Sequence, residues 1–299
     1  MKLWLRMFLT AAKSWWADNV FKHSAAVSFY TLFSIAPITI IAVTIAGMFL
    51  GPDAAGDQLE HQLTQLVGPA STEIMMAAAK ASRHEGESKW ATTLGIVLLV
   101  TGATSVFAQL QDSLNKIYGV RTKPTKSGWL ILILHRLVSF AMVLTMAFLL
   151  LVSLVLTTFL TSALGWIRVD APGLMKAVDV GASVVVISLL FALLFKVMPD
   201  VRLRWRDVWV GSLVTAILFT IGRYLIALYL SRSTVASVYG TAGSLVALLI
   251  WVYYSCAIVF YGAEFTRAYR HAHKLKVQPK ETAVAVREEI VEPRKRQPA

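Results

Sequence analysis

The chain has 299 residues, of which 57% are hydrophobic and 15% are charged, and its mean hydropathy is +0.63. This composition is typical of a protein that crosses a membrane several times, and it excludes a soluble globular core. The formal net charge of +12 would favour nucleic acid as the partner of a soluble protein. Beside apolar spans, topology and anionic lipid headgroups explain the same charge, so we expect no nucleic-acid partner. A single cysteine, Cys256, permits no internal disulfide.

The first twenty residues predict an amphipathic helix that lies in the cytoplasmic interface of the membrane. On a helical wheel, its basic face and its aromatic face lie opposite each other: Lys2, Arg6 and Lys13 against Trp4, Phe8, Ala11 and Trp15. The cations interrupt the apolar run, so the segment lacks the central region of a signal peptide. We predict that 1–20 is an interfacial segment that orients the first span, with a gating or sensing role as the alternative.

Six apolar stretches follow, each able to cross a hydrocarbon core that needs about 20 apolar residues. They lie at 25–50, 91–114, 137–161, 174–197, 208–230 and 243–266. The fold class is therefore an all-α, polytopic membrane protein with a six-helix transmembrane domain over 21–270. Most Lys and Arg residues lie before the first span, in the second and fourth loops and after the last span. Because basic residues are retained on the cytoplasmic side, both termini are predicted to be cytoplasmic.

Two segments lie outside the spans. The external loop 51–90 shows helical apolar spacing that Gly68-Pro69 interrupts, so it predicts two short helices that cap the outer face. The tail 271–299 is polar, contains prolines and has no apolar periodicity, which predicts a disordered cytoplasmic segment.

Polar residues within the spans are the candidates for function, because hydrocarbon penalises them and they usually face the bundle interior. The first span has a polar side and a central proline that predicts a kink, and the second span has a polar stripe. The candidate path residues are Ser28, Thr31, Pro37, Thr101, Thr104, Ser105 and Arg223. Two interpretations stay open: the polar faces hold neighbouring helices together, or they line a path.

Charged residues within or beside the spans suggest two groups. Arg223 and Asp179 lie at a similar depth from the outer surface, so we predict an ion pair, either as a structural tie or with Arg223 partly available to an anion. Asp112, Arg136 and Glu264 end or begin spans on the cytoplasmic side. They are predicted to form a cluster, either a structural ion network or an inner gate that responds to protons.

No motif of catalysis is present. The sequence contains no Walker loop, HExxH, nucleophile elbow or dinucleotide-binding glycine motif. We therefore expect no enzymatic activity, no catalytic residue and no cofactor. His271 and His273 lie in the predicted tail without further ligands, so no metal site is expected.

Strings across the transmembrane part carry a resemblance to a known family. They are AAVSFYTLFSIAP at 25–37, LNKIYGV at 114–120, MPDVRLRWRDVWVGSL at 198–213, VYGTAGSL at 238–245 and WVYYSCAIVFYGAE at 251–264. The chain resembles the YihY/virulence factor BrkB family. The resemblance implies a bacterial inner-membrane protein of six helices, with members connected to serum resistance or to export of lipids or lipopolysaccharide precursors. Some relatives have been called ribonuclease BN, but the dispersed cytoplasmic acids of this chain do not suit metal-dependent RNA hydrolysis.

Two functions follow as hypotheses. The first is an inner-membrane transporter or flippase for an amphipathic, anionic envelope lipid, and the second is a non-catalytic scaffold of the cell envelope. Both have membrane lipids as partners, and neither fixes the oligomeric state. A cavity lined by the polar residues favours transport, whereas dry, fully paired polar faces favour a scaffold.

Overall fold

A computed structural model describes residues 2–32, 104–123, 172–232 and 243–286, with a few single positions between 34 and 77. These parts are mostly helical. The helices are α1 (Lys2–Ala17), α2 (20–32), α3 (104–117), α4 (Pro172–Val197), α5 (Trp205–Arg232) and α6 (Gly243–Ala272), and the strands are β1 (Val120–Thr122) and β2 (Ala283–Ala285). The third predicted span, 137–161, lies outside the described residues. In the external loop 51–90, the positions that are described, among them Glu60, Thr64 and Thr72, are helical.

Within the part of the chain that the structure describes, two helices are long and apolar enough to cross a membrane. They are Trp205–Tyr229 in α5, with a mean hydropathy of 1.7, and Leu245–Ala272 in α6, with a mean hydropathy of 2.0. Large apolar side chains are exposed at every fourth position along α5, namely Trp205, Trp209, Leu213, Ile217, Ile221 and Leu225. Such a stripe is unusual on a surface that faces water and suits a surface that faces lipid. The number of six spans and their direction stay predictions.

Helices α5 and α6 approach closely through two glycines that face two threonines. A Cβ added at Gly262 would lie 1.7 Å from Thr215 Oγ1, and one added at Gly211 would lie 1.8 Å from Thr266 Oγ1. Each threonine hydroxyl donates to the carbonyl four residues earlier in its own helix. Small residues at this spacing let two helix backbones come together inside a membrane. The contact is reciprocal, because each helix supplies one glycine and one threonine.

The aromatic face of α1 packs on the second half of α6. The Trp15 indole donates to the Ala257 carbonyl at 2.9 Å, and the Tyr261 hydroxyl donates to the Phe8 carbonyl at 3.2 Å. The rings of Phe8 and Phe265 are 4.6 Å apart between centroids. Helix α6 therefore covers much of the aromatic face of α1, the face that was predicted to lie in the membrane interface. The large apolar residues of α1 that stay exposed are Leu3, Trp4, Leu5, Leu9 and Trp16.

The segment after α6 corrects the prediction of a disordered tail over residues 273–286. Strand β2 pairs with β1 in antiparallel register, with Arg121 opposite Val284, and the Val286 amide donates to the Gly119 carbonyl at 2.8 Å. Backbone hydrogen bonds to distant loops hold this segment, and only Ala283 of β2 is buried. Backbone hydrogen bonds of this kind require no apolar periodicity in the sequence. The absence of that periodicity therefore did not indicate disorder here. Residues 287–299 lie outside the described part of the chain.

The main apolar core lies where the described helix ends meet. Its buried residues include Val20, Leu114, Ile117, Phe195, Met198, Val208 and Phe260. They come from α2, α3, α5, α6 and the end of α4, so the same end of the bundle joins distant parts of the chain. The two short strands also lie at this end and are an addition to the all-α prediction.

Candidate functional site

A polar cavity of about 880 Å³ opens at this end of the bundle. We call it the polar cavity. Its walls come from the corner between α1 and α2, the end of α3, strand β1, the last turns of α6 and the segment after β2. The lining side chains that carry charge or can gain it are Asp18, His23, Asp112, Lys116, Arg121 and Arg267.

The corner between α1 and α2 supplies one wall. Asn19 adopts the left-handed backbone conformation, with φ of 54°, which ends α1 and lets the chain turn; asparagine tolerates this conformation better than most residues. Asp18 then faces α6, where its carboxylate lies 2.8 Å from Arg267 Nη1. In the first turn of α2, His23 Nδ1 lies 3.1 Å from Ser113 Oγ on α3. The corner thus ties α1 and α2 to two other helices.

Arg267 contacts two acidic side chains at once. Besides Asp18, it lies 3.4 Å from Glu264 Oε2, one turn earlier in α6. The Glu264 residue is 1% exposed, and its Oε1 has no hydrogen-bond partner among the described residues. An acidic side chain this deeply buried depends on a compensating partner. Arg267 therefore holds α1 and α6 together at the cavity wall.

The end of α3 supplies the opposite wall and two cations. Gly119, with φ of 66°, occupies the left-handed position after the helix, where glycine has no steric penalty. The chain then enters β1. This turn places Lys116, from the last turn of α3, and Arg121, from β1, in the lining of the cavity. Neither cation has an ion pair within 4 Å among the described residues.

Asp200 anchors this wall to the loop between α4 and α5. Its carboxylate accepts hydrogen bonds from Asn115 Nδ2 at 3.0 Å, from Thr122 Oγ1 at 3.2 Å and from Gln111 Nε2 at 3.4 Å. The Asp200 amide donates in turn to Asn115 Oδ1 at 2.7 Å, and its carbonyl accepts from the Lys280 amide. One buried acid thus ties together three segments that are far apart in sequence at the cavity wall.

The electrostatic balance of the cavity affects His23. Burial and the positive charge of Lys116 lower the pKa of His23 below its ordinary value of 6.5, although Asp18 acts in the opposite direction. The imidazole is therefore favoured in its neutral form. Because Arg267 is engaged with Asp18 and Glu264, Lys116 and Arg121 are the cations best placed to receive an anionic group. Within the described residues, no group of three His, Cys, Asp or Glu side chains is placed to hold a metal ion.

The path residues of the first two spans that the structure describes, Ser28, Thr31, Thr104 and Ser105, are not among those that line this cavity. Ser28 is buried and donates to the Ser24 carbonyl at 2.9 Å, and Thr31 donates to the Val27 carbonyl at 2.8 Å. These hydroxyls are thus satisfied within their own helix. Thr104 is fully buried and Ser105 is half-buried. Pro37 and Thr101 lie outside the described residues.

The structure describes only part of each of the two predicted groups of charged residues. Arg223 is half-buried, with its guanidinium 5.3 Å from the centre of the Tyr224 ring; the side chain of Asp179 lies outside the described part, so their pairing stays a prediction. Asp112 lines the polar cavity, and Glu264 contacts Arg267, which lines it too. Arg136, the third predicted member, lies outside the described residues.

Sequence reasoning missed several residues that build the site. They are Asp18, His23, Asp200 and Arg267. Asp200 lies in the string MPDV, part of a segment that carried the family resemblance, so that segment contained a clue. Asn115, which lines the polar cavity, lies on the polar face of the second span. Asp18 and Arg267 gave no local pattern, since their partnership joins residues 249 positions apart.

Comparisons with known proteins agree on one class of membrane protein. The family model "Virulence factor BrkB" matches residues 11–286. A UPF0761 membrane protein of Alteromonas mediterranea is 27% identical over 255 residues, which cover 83% of this chain and 82% of the relative. One from Alkalilimnicola ehrlichii is 26% identical over 272 residues, which cover 89% of this chain and 59% of the relative. Another, from Ralstonia nicotianae, is 29% identical over 251 residues, 82% of this chain and 54% of the relative. This chain thus spans only about 59% and 54% of the latter two relatives. No solved structure matches.

Proposed function

The chain belongs to the virulence factor BrkB family of membrane proteins, as its strings indicated, and on that premise we propose that it is a flippase-like transporter of the bacterial inner membrane. Its cargo in this proposal is an anionic, amphipathic envelope lipid. Both termini are proposed to be cytoplasmic, as the distribution of basic residues predicts. The proposal includes no enzymatic step, no cofactor and no nucleic acid.

The polar cavity is the observation that carries the proposal. A volume of about 880 Å³ is within the range of small-molecule sites, about 300–1,000 Å³, and can receive a polar headgroup. Lys116 and Arg121 line it and would neutralise a phosphate or carboxylate, because charge-assisted hydrogen bonds are the stronger ones. The exposed apolar stripe of α5 suits the acyl chains of the surrounding lipids.

The ion pair between Arg267 and Asp18 gives this site a means of responding to its cargo. An anionic headgroup in the cavity would compete with the Asp18 carboxylate for the guanidinium. Since this pair joins α6 to the corner between α1 and α2, its exchange would loosen one wall of the cavity. A ligand can shift a conformational equilibrium only through such differential contacts.

Translocation in proteoliposomes tests the proposal. Vesicles that contain the purified protein should move fluorescent phosphatidylglycerol between leaflets, assayed under a pH gradient, under a voltage and under neither. The double variant Lys116→Gln/Arg121→Gln should slow this movement by about tenfold or more, because it removes two lining cations that have no ion pair among the described residues. Lys22→Gln, an exposed change outside the cavity, is the matched control and should keep the native rate. Absence of translocation by the native protein in every condition would overturn the proposal.

A scaffold of the cell envelope is the second candidate, and a specific observation favours it. The hydroxyls of Ser28, Thr31, Ser212, Thr215 and Thr220 each donate to a carbonyl of their own helix. Polar residues that are satisfied in this way need no aqueous path. A native protein that moves no lipid, yet whose loss changes the composition of an envelope complex, would support this alternative.

A further inference from the structure

A second cavity, of about 270 Å³, lies between the loop after α4 and the segment after α6. We propose that it binds a phosphate-bearing anion. The cavity, here called the cationic pocket, is lined by Arg202, Arg204, Arg270, Lys274 and Lys276 together with three uncharged residues. None of the described residues that line it is acidic.

The backbone holds the two walls of the cationic pocket in place. Lys274 ends α6 in the left-handed conformation, with φ of 55°, and the next amide, of Leu275, donates back to the Arg270 carbonyl at 2.9 Å. The chain then runs beside the loop after α4, where the Arg202 amide donates to the Gln278 carbonyl at 2.8 Å. The pocket is therefore formed before any ligand arrives.

Arg270 forms the deepest part of this positive surface. It is 4% exposed, its Nη1 pairs with Asp207, and its Nη2 donates to the Lys276 carbonyl at 2.7 Å. Its Nε has no hydrogen-bond partner among the described residues. A buried donor without a partner is costly, and an acceptor in the pocket would remove that cost.

The positive charges at the rim of the cationic pocket are only weakly neutralised by acidic side chains. Arg202 pairs with Glu281, but both side chains are largely exposed, so water weakens this pair. Arg204, Lys274 and Lys276 have no ion pair within 4 Å among the described residues. The nearby acids, Asp207 and Glu281, are thus engaged with Arg270 and Arg202, and the pocket keeps an excess of positive charge.

Phosphate is the anion that fits this arrangement best. Guanidinium groups present paired donors that match its oxygens, and flexible lysines add charge at the rim. The phosphate could belong to a lipid headgroup or to a soluble molecule, because both present the same oxygens. Trp205 and Trp209 follow directly and are exposed, and such aromatic residues are enriched at membrane interfaces, which brings lipid headgroups within reach.

Binding to the full-length protein in detergent tests the inference. Inorganic phosphate and glycerol 3-phosphate are titrated by calorimetry, and phosphatidylglycerol and phosphatidylcholine are compared by native mass spectrometry. We expect saturable binding of at least one phosphate probe. The double variant Arg204→Ala/Lys276→Gln should weaken it by about tenfold or more, and both residues are exposed, so the fold should tolerate the change. Arg206→Ala, which removes one exposed cation outside the pocket, should bind like the native protein.

The two classes of probe distinguish the source of the phosphate. Binding of phosphatidylglycerol alone would assign the pocket to a lipid headgroup, and binding of the soluble probes would assign it to a free anion. Equal binding by the double variant and the Arg206→Ala control, or no saturable binding of any probe, would overturn the inference. The result is independent of the transport proposal, because Lys116→Gln/Arg121→Gln alters the polar cavity and should leave binding here unchanged.

Discussion

At the scale of single residues, one buried acid does much to organise the polar end of the bundle. Asp200 receives hydrogen bonds from α3 and from β1, and its own backbone bonds to Asn115 and to the segment after α6. A buried carboxylate is stable only when it is compensated in this way. The loop after α4 therefore depends on partners that are distant in sequence.

Replacement of Asn115 by alanine should destabilise the protein. It removes a hydrogen bond of 3.0 Å to the Asp200 carboxylate and the acceptor of the Asp200 amide. The free energy of unfolding should fall by about 3 kcal/mol, because the loss of a hydrogen bond to a charged group costs more than the loss of one between neutral groups. Chemical unfolding in detergent measures this, and Gln111→Ala, whose bond of 3.4 Å is longer, should cost less. An unchanged stability in Asn115→Ala would show that the hydrogen bonds between Asn115 and Asp200 are dispensable.

His23 should make the folded state sensitive to mild acid. Its pKa is lowered on folding by burial and by Lys116, so the unfolded chain binds the proton more readily. The stabilising contribution is therefore complete above the ordinary pKa of 6.5 and is lost as the pH falls from there towards the folded value. Melting temperatures between about pH 7.5 and 5.5 should decline more steeply in the native protein than in His23→Gln. Parallel declines would exclude His23 as the titrating group.

These residues also show where prediction from sequence ends. Local spacing placed Ser28, Thr31 and Thr104 on helices but could not say which partners their hydroxyls would find. No local pattern predicts the contact between Asp18 and Arg267, because the two residues are 249 positions apart in sequence. Pairs of this kind depend on how helices are arranged in space, which no local periodicity encodes.

At the scale of elements, α5 and α6 form a pair that is held by shape. The reciprocal contacts between Gly262 and Thr215 and between Gly211 and Thr266 leave no room for another methyl group. Apolar content predicted both helices well, because a span must be long and hydrophobic. The face through which they pack was not predicted, and neither were the strands, since three residues held by backbone bonds leave too little pattern.

The substitution Gly262→Ala should therefore separate α5 from α6. The new Cβ would lie 1.7 Å from Thr215 Oγ1, and overpacking of this kind typically costs about 1–3 kcal/mol. Adding Thr215→Ala to the same chain should recover part of the loss by removing the obstructing side chain. Gly181→Ala is the matched control, because its Cβ would meet nothing within 4 Å. Thermal unfolding in detergent compares the variants, and an equal effect of both alanines would contradict the close contact.

At the scale of the whole molecule, orientation follows from charge. The basic segments before the first span, around the second and fourth loops and after α6 should face the cytoplasm. The structure brings three of these segments together, since residues near positions 18, 121 and 267 share the polar cavity. Such a shared cavity is expected of segments on one side of the membrane, and which side they face stays a prediction from the basic residues.

Cysteine labelling should place the external loop and the tail on opposite sides. In a background that lacks the single native cysteine, Cys256→Ala, one new cysteine is introduced at Gly68 and another, in a separate chain, at Gln297. An impermeant maleimide applied to intact spheroplasts should react only with the first, and both should react after lysis. Reaction of both before lysis would overturn the orientation.

The contact between the first and the last described helices has a consequence for biosynthesis. Helix α1 is synthesised before α6, yet the groups that pair with Trp15, Phe8 and Asp18 all lie in α6. Until α6 has been translated, these partners do not exist. The docking of α1 on α6 is therefore an event that only a chain translated through α6 can complete, and a chain interrupted earlier would keep the aromatic face of α1 open to quality-control proteases.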